Sequence, residues 1–174
     1  MSCKTSKSGI ITSKEKAKEK GIYSYNDKKV KIEKGESLKS GKKANISKTK
    51  RNIVETALEN LGVKYKYGGT TKSGMDCSGL VYSTFIKYDI EMSRSSIDMA
   101  KEGREVSKSK AQIGDLIFFK TGNSSNINHV GIITDIENDA ISFIHSSTSK
   151  GVIISSLDEP YYSKAFDKIK RVIE

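Results

Sequence analysis

The sequence predicts an α+β fold in which helices pack on one central antiparallel sheet of about five to six strands. Between residues 49 and 103 the apolar residues recur at helical spacing, and after Gly114 they change to short strand-like runs separated by tight turns. Helices followed by consecutive strands are typical of the α+β class, because strands joined by short turns pair antiparallel.

The first 50 of the 174 residues differ from the rest in charge. They contain 15 lysines, no arginine and five acidic residues, whereas residues 51–174 contain 16 basic and 16 acidic residues. A segment this polar cannot bury enough apolar surface to offset the conformational entropy that it would lose on folding. The sequence therefore predicts a flexible Lys-rich tether over residues 1–48 and one folded domain over 49–174. Because the excess charge lies on the tether, we expect no nucleic-acid partner.

Three helices are predicted in the first half of the domain. The first begins near residue 49 and ends at Gly62, and the second runs from Cys77 to about Tyr88. The third is short, with Ser95 as its candidate N-cap and Gly103 at its end. The apolar face of the first helix comprises Ile53, Val54, Ala57, Leu58 and Leu61.

Five strand-like segments follow Gly114. They are DLIFF, HVGIITDI, AISFIHS, GVIISSL and, near the end of the chain, FDKIKRVI. Each is rich in β-branched or aromatic residues and is bounded by polar or turn-forming residues, which predicts a strand.

Cys77 occupies an unusual position for a structural cysteine. It is flanked by Asp76 and Ser78, and the apolar-periodic part of its helix begins only at Leu80. A thiol at a helix N-terminus is favoured as the thiolate, because the helix dipole stabilises negative charge there. The only other cysteine is Cys3, so a structural disulfide is not expected. The position indicates a nucleophile.

The only two histidines, His129 and His145, lie on two consecutive predicted strands. Because side chains alternate between faces, both imidazoles share a face only if the turn between the strands has an odd length or a strand contains a bulge. A two-residue turn at Asn138–Asp139 would separate them. The alternatives are half-buried structural histidines or a zinc site, for which no fourth clustered ligand is apparent.

Six short motifs occur in order along residues 50–174: YKYGG, DCSG at a helix start, SRSS, GDLIFF, HVGI and FIHSS. Together they resemble the NlpC-type cell-wall cysteine peptidases, a papain-like family. The agreement is most detailed with the Spr-like murein endopeptidase lipoproteins and extends through the stretch 147–173. The resemblance implies a papain-like NlpC fold and catalysis without a metal or an organic cofactor.

Position by position, the resemblance implies Cys77 as nucleophile, His129 as general base and His145 as the polar residue that holds the His129 ring. Tyr65 aligns with the tyrosine that stabilises the oxyanion in the family. Tyr67, two residues later, is expected to pack on its loop instead.

Asp76, Ser78 and Arg94 fall on positions that line the substrate in the family. Asp76 is also a candidate cap for the cysteine helix, and Arg94 is expected to face a carboxylate of a stem peptide. The family often has proline before this arginine, where the present chain has Ser93.

The resemblance implies a peptidoglycan stem peptide as substrate. The expected bond is the D-alanyl–diaminopimelate cross-link, and the γ-D-glutamyl–diaminopimelate bond is the alternative. A secreted wall-degrading toxin, a non-catalytic wall-binding module and an acyltransferase are the other functions considered. An acyltransferase is disfavoured because its permuted relatives place the histidine before the cysteine.

The opening residues MSCKTSKSG place a small residue and then Cys3 before a polar run. This arrangement is typical of a bacterial lipoprotein after removal of its signal peptide, and an ordinary free thiol is the alternative. Cys3 is therefore a candidate for lipidation and membrane anchoring, and the expected location is the outer membrane facing the periplasm. We expect the protein to be a monomer.

Overall fold

The computed structural model describes residues 11–19 and 39–174, with side chains from residue 48 onward in the second stretch. The helices are α1 (Lys14–Glu19), α2 (Lys39–Leu58), α3 (Cys77–Phe85), α4 (Ser96–Met99) and α5 (Pro160–Ala165), with 3₁₀ turns at Ile86–Tyr88 and Lys108–Lys110. The strands are β1 (Thr70–Thr71), β2 (Gly74–Met75), β3 (Arg104–Val106), β4 (Leu116–Phe119), β5 (His129–Glu137), β6 (Ala140–Ser147), β7 (Gly151–Ser156) and β8 (Phe166–Arg171).

Six of these strands form one antiparallel sheet in the order β3-β8-β4-β5-β6-β7, which confirms the predicted α+β fold. All five predicted strands are present. The sixth, β3, has only three residues, two of them charged and exposed, so it lacks the apolar alternation that reveals a strand. β1 and β2 form a separate hairpin, and α5 lies between β7 and β8, where no helix was predicted.

The hydrophobic core lies on both faces of the sheet. Strand β4 shows this most clearly: Leu116 and Phe118 face α2 and α3, while Ile117 and Phe119 face the side covered by Tyr162 of α5. All four β4 side chains are fully buried. A central strand covered on both faces is a continuous apolar run, because side chains on both faces leave water.

A bulge in β5 sets the relation between β5 and β6. Their turn is the two-residue Asn138–Asp139 type, with Glu137 opposite Ala140, but the register shifts between Ile133 and Asp135. Beyond the shift Ile132 lies opposite Ile144, so His145 comes opposite Gly131, two residues from His129. The prediction that an odd-length turn or a bulge must lie between the histidines is confirmed, because β5 contains a bulge.

Part of the predicted tether has structure that the charge pattern did not indicate. Ile11 and Ala17 are buried in the core cluster on the helical face of the sheet, and Ile11 bridges to Ile154 at the β7 edge. Helix α2 begins at Lys39 rather than near residue 49. Residues 1–10, including the lipidation candidate Cys3, and residues 20–38 lie outside the described residues. None of the helices in the described part is long and apolar enough for a bilayer crossing.

Candidate active site

Cys77 is the first residue of α3 and is half-buried beside the start of β5. The cap of this helix is Asp76, as predicted, whose Oδ1 accepts a 2.6 Å hydrogen bond from the Gly79 amide. The Cys77 sulfur lies 4.0 Å from the carbonyl oxygen of Asn128, and the Val130 amide also hydrogen-bonds toward it. The thiol therefore rests against the backbone on both sides of His129.

Packing requires a residue without a Cβ atom at Gly79, the glycine of the DCSG motif. A Cβ atom on Gly79 would collide with the carbonyl oxygen of Gly69 in the preceding loop. That loop also bonds to the cap, because the Gly68 amide donates to Asp76 Oδ2 at 2.8 Å. Close contact between the YKYGG loop and the first turn of α3 thus needs glycine at position 79.

Asp76 and Arg94 form an ion pair next to the thiol. The guanidinium binds the carboxylate with both terminal nitrogens, Nη1 to Oδ1 at 3.0 Å and Nη2 to Oδ2 at 2.7 Å. Nη1 also donates to Ser78 Oγ at 2.8 Å. Burial raises the pKa of Asp76, but hydrogen bonds from Arg94 and from the Gly79 and Gly68 amides outweigh it, so the pKa lies below its usual value. All three residues expected to bind substrate are thus bonded to one another.

A cavity of about 600 Å³ opens beside the Cys77 thiol. We call it the cysteine-side pocket, and its walls include Tyr65, Asp76, Cys77, Ser78, Arg94 and Asn128. Burial raises the pKa of Tyr65, and the neighbouring Cys77 and Asp76 raise it further. The phenol is therefore protonated at neutral pH and available as a hydrogen-bond donor next to the sulfur.

Tyr67 does not pack on its loop as expected. Its side chain is 89% exposed at the rim of the cysteine-side pocket. The adjacent Gly68 has φ +71°, a left-handed conformation that carries the chain back toward Asp76 and leaves the Tyr67 ring outside.

His129 and His145 hydrogen-bond to each other, Nε2 of His129 to Nδ1 of His145 at 2.9 Å. A side chain at the opposing position of β5 would obstruct this contact, since a Cβ on Gly131 would lie 3.3 Å from His145 Cβ and 2.8 Å from the Phe143 ring. The glycine of the HVGI motif therefore makes room for the second imidazole.

Two residues that the sequence analysis missed complete the histidine cluster. His145 is fully buried, and its Nε2 lies 3.2 Å from both Ser155 Oγ on β7 and Tyr162 Oη on α5. His145 pairs with Ile153, so Ser155 is its diagonal neighbour, and the register of β6 and β7 would have revealed it. Nothing in the local sequence marks Tyr162, which reaches the cluster through the packing of α5.

Burial gives both histidines and the thiol uncharged forms at neutral pH. It lowers the pKa of His129 from 6.5 to about 4 and that of His145 well below 6.5. Burial also raises the pKa of Cys77 above its usual value, and the hydrogen bonds from nearby backbone amides only partly oppose it. In the resting site, burial of Cys77 thus opposes the thiolate that the helix N-terminus was expected to favour.

The loop before His129 is closed by Asn128, another residue not identified from the sequence. Its Oδ1 accepts from the Thr121 amide at 2.8 Å and its Nδ2 donates to the Thr121 carbonyl at 3.0 Å. These bonds join the two ends of the β4–β5 loop and set the position of the Asn128 carbonyl against the thiol. Within the described residues no group of three His, Cys, Asp or Glu side chains is arranged to hold a metal ion.

The chain is similar to known proteins over most of this domain. Residues 62–171 match the family model described as "NlpC/P60 family". A "Murein DD-endopeptidase MepS/Murein LD-carboxypeptidase" of Escherichia coli K12 is 42% identical over 125 residues, which are 71% of this chain and 63% of that protein. A "Probable endopeptidase" of Haemophilus influenzae is 44% identical over 121 residues, 69% of this chain and 73% of that protein.

Among solved structures, an NlpC/P60 family protein from Bacillus cereus superposes with a TM-score of 0.64 at 29% identity, covering 72% of this chain and 40% of that one. The chain thus spans less than two thirds of the Escherichia coli relative and less than half of this structure.

Proposed function

Since the chain belongs to the NlpC/P60 family, we propose that it is a peptidoglycan hydrolase, a cysteine endopeptidase that cleaves stem-peptide cross-links at the D-alanyl–diaminopimelate bond. The observation that carries the proposal is the 2.9 Å bond between the half-buried His129 ring and the buried His145 ring, next to a thiol that lies against the backbone flanking His129. The names of the murein endopeptidase relatives support peptidoglycan as the substrate.

The hydrogen-bond chain supports Nδ1 as the nitrogen of His129 that accepts a proton. His129 Nε2 is bonded to His145, so Nδ1 is the nitrogen left to take the proton of the Cys77 thiol. Nε2 then carries hydrogen and donates to His145 Nδ1, and His145 Nε2–H donates to Ser155 or Tyr162. His145 thus holds the ring of His129 in the tautomer that a general base needs.

In the first chemical step, the thiol proton moves to His129 Nδ1 as the sulfur attacks the carbonyl carbon. The negative charge that develops on the carbonyl oxygen is stabilised by Tyr65 Oη and the Cys77 amide. Burial disfavours thiolate and imidazolium separately, but each compensates the charge of the other when they form together. Charge therefore appears only as the reaction begins.

The tetrahedral intermediate collapses when His129 returns its proton to the leaving amine, which breaks the C–N bond and leaves a thioester on Cys77. Water then attacks the thioester, with His129 again as base, and the free thiol is restored. In the cysteine-side pocket, Asp76, Ser78 and Arg94 form one hydrogen-bonded unit. The side chain of Arg94 is 38% exposed, so its free edge can pair with a carboxylate of the stem peptide.

The cell envelope is the location that fits this substrate, with the protein anchored by a lipid on Cys3 and acting as a monomer. Because Ile11 packs on the β7 edge, only residues 4–10 would then separate the lipid from the folded part of the chain. Mass spectrometry of the intact protein purified from its native envelope tests the anchor. A protein with three acyl chains on Cys3 would be heavier by hundreds of daltons than one with none.

Muropeptide analysis tests the enzymatic proposal. Diaminopimelate-type sacculi are treated with the native protein, with Cys77→Ala and with Cys77→Ser, which keeps the shape of the side chain but is a far weaker nucleophile. We expect cross-linked dimers to disappear and intact tetrapeptide monomers to form only with the native protein.

Fragments cut after D-glutamate would move the bond to γ-D-glutamyl–diaminopimelate and retain the chemistry. Identical profiles for the three folded proteins would overturn the hydrolase and favour a wall-binding module.

A further inference from the structure

A second cavity, of about 300 Å³, opens beside His129 and shares no wall residue with the cysteine-side pocket. We call it the histidine-side pocket. His129 forms part of its wall, together with Thr121 of the β4–β5 loop, Thr148 and Lys150 of the β6–β7 turn, and Glu159 at the start of α5. Its volume is at the lower end of the range for small-ligand sites.

The chemistry of amide cleavage assigns a role to this side of the site. His129 must give its proton to the leaving amine, so the leaving nitrogen lies against His129 when the C–N bond breaks. The residue that carries this nitrogen therefore extends from His129 away from the acyl group. With the acyl group in the cysteine-side pocket, the leaving residue would extend toward the histidine-side pocket, whose wall contains His129.

Two opposite charges face this pocket from different elements. Lys150 is exposed on the β6–β7 turn. Glu159 is half-buried, and its Oε1 accepts a 2.9 Å bond from the Ser156 amide, which orients the carboxylate. Hydroxyl groups, among them those of Thr121 and Thr148, make up much of the remaining wall.

The position of Lys150 is determined by the backbone that follows it. Gly151 has φ +70°, and a Cβ there would collide with the carbonyl oxygen of Val63. The next amide, that of Val152, donates to the same carbonyl at 2.8 Å. The turn is thus bonded to the chain after α2, so Lys150 extends from a backbone that is held in place.

We propose that the histidine-side pocket binds the leaving residue of the substrate and recognises it as a diamino dicarboxylic acid. Lys150 forms an ion pair with the free carboxylate of this residue, and the Glu159 carboxylate accepts a hydrogen bond from an N–H group of the same residue. This inference rests on the proposed function. It concerns the part of the substrate that lies outside the cysteine-side pocket. A leaving residue without the free carboxylate would give Lys150 no ion-pair partner in the pocket.

The test compares two cross-linked dimers that differ only in the leaving diaminopimelate, which carries a free carboxylate in one and a carboxamide in the other. The enzymes are the native protein, Lys150→Gln and Lys87→Gln. Lys87 is an exposed lysine on the 3₁₀ turn after α3, so its variant has the same change in net charge. Thermal unfolding confirms that each variant is folded.

We expect the native protein and Lys87→Gln to prefer the carboxylate substrate about 3- to 5-fold in kcat/KM, the size of one exposed ion pair. Lys150→Gln should cleave both at equal rates. A preference that survives in Lys150→Gln, or is absent from the native protein, would overturn the pocket assignment alone. Failure of the native protein to cleave either dimer would overturn the proposed function as well.

Discussion

The two halves of the active site are built in different ways. The cysteine side takes Tyr65, Asp76, Ser78 and Arg94 from one stretch of about thirty residues, and its hydrogen bonds join side chains and backbone close in sequence. The histidine side takes one residue each from β5, β6, β7 and α5. The first is assembled from segments that are near one another in sequence, whereas the second exists only when the sheet has formed.

The two halves also differ in charge. The cysteine side contains an ion pair, Asp76 with Arg94, in which Arg94 remains partly in contact with water. The histidine side contains the half-buried imidazole of His129 and the buried imidazole of His145, whose pKa values are both lowered by removal from water. An ion pair with several hydrogen bonds keeps its geometry even when water can reach it. A network of neutral imidazoles must be shielded from water, because water would allow its groups to ionise. The histidine side should therefore be sensitive to pH and the cysteine side to loss of single partners.

The largest expected effect follows from removing the base. His129→Gln should lower kcat/KM about 1,000-fold, because the thiol then loses its proton acceptor. The double variant with Cys77→Ala should be no slower than Cys77→Ala, since the two groups act as one unit. Steady-state kinetics on purified muropeptide dimers measure this. Retention of a tenth of the native rate in His129→Gln would contradict the assigned role.

Acid should destabilise the fold through the histidine side. The pKa of His129 is about 4 in the folded state and 6.5 when unfolded, so the unfolded chain binds more protons between these values. The stabilisation is fully present above pH 6.5 and is lost as pH falls toward 4. From His129 alone, the free energy of unfolding should fall by about 2 kcal/mol between pH 7 and pH 5.

Chemical denaturation at several pH values between 5 and 7 measures this dependence. The control is the double variant His129→Gln, His145→Gln, which removes both histidines of the chain. Its free energy of unfolding should be nearly constant over this range. An equal slope in both proteins would show that other groups are responsible.

Asp76→Asn tests the cysteine side. The change should lower the free energy of unfolding by about 2 kcal/mol, because it weakens the helix cap and leaves Arg94 without its carboxylate. The matched control is Asp98→Asn, which weakens an exposed pair with Lys101 and should cost less than about 0.5 kcal/mol. Similar losses in the two variants would show that the Asp76 network contributes no more than a surface pair.

Tyr162→Phe should have the smallest effect. It removes one of the two hydroxyls near His145 Nε2 and leaves Ser155 in place, so we expect a loss of about 5-fold in kcat with KM unchanged. The control is Tyr82→Phe, which removes a hydroxyl from α3 on the opposite face of the sheet. An increase in KM without a change in kcat would show that Tyr162 contacts substrate rather than positions His145.

The prediction of the fold succeeded where one residue pattern dominates. The apolar runs of β4 to β8 and the helix from Cys77 were all identified, because burial on a regular element leaves a periodic signal. Strand β3 and helix α5 were missed because they are short and depend on neighbours for their partners. Ile11 and Ala17 were missed because two apolar residues in a lysine-rich segment carry no periodicity.

The sequence by itself determined the chemistry of the site: one thiol at a helix start with Asp76 as its cap, and two histidines on paired strands that require a bulge or an odd turn to meet. These follow from residue type and local geometry. Only the tertiary structure decided that Ser155 and Tyr162 hold His145, that Arg94 binds Asp76, and that the thiol and imidazoles are neutral at rest. Those properties depend on burial and long-range packing, which no local pattern specifies.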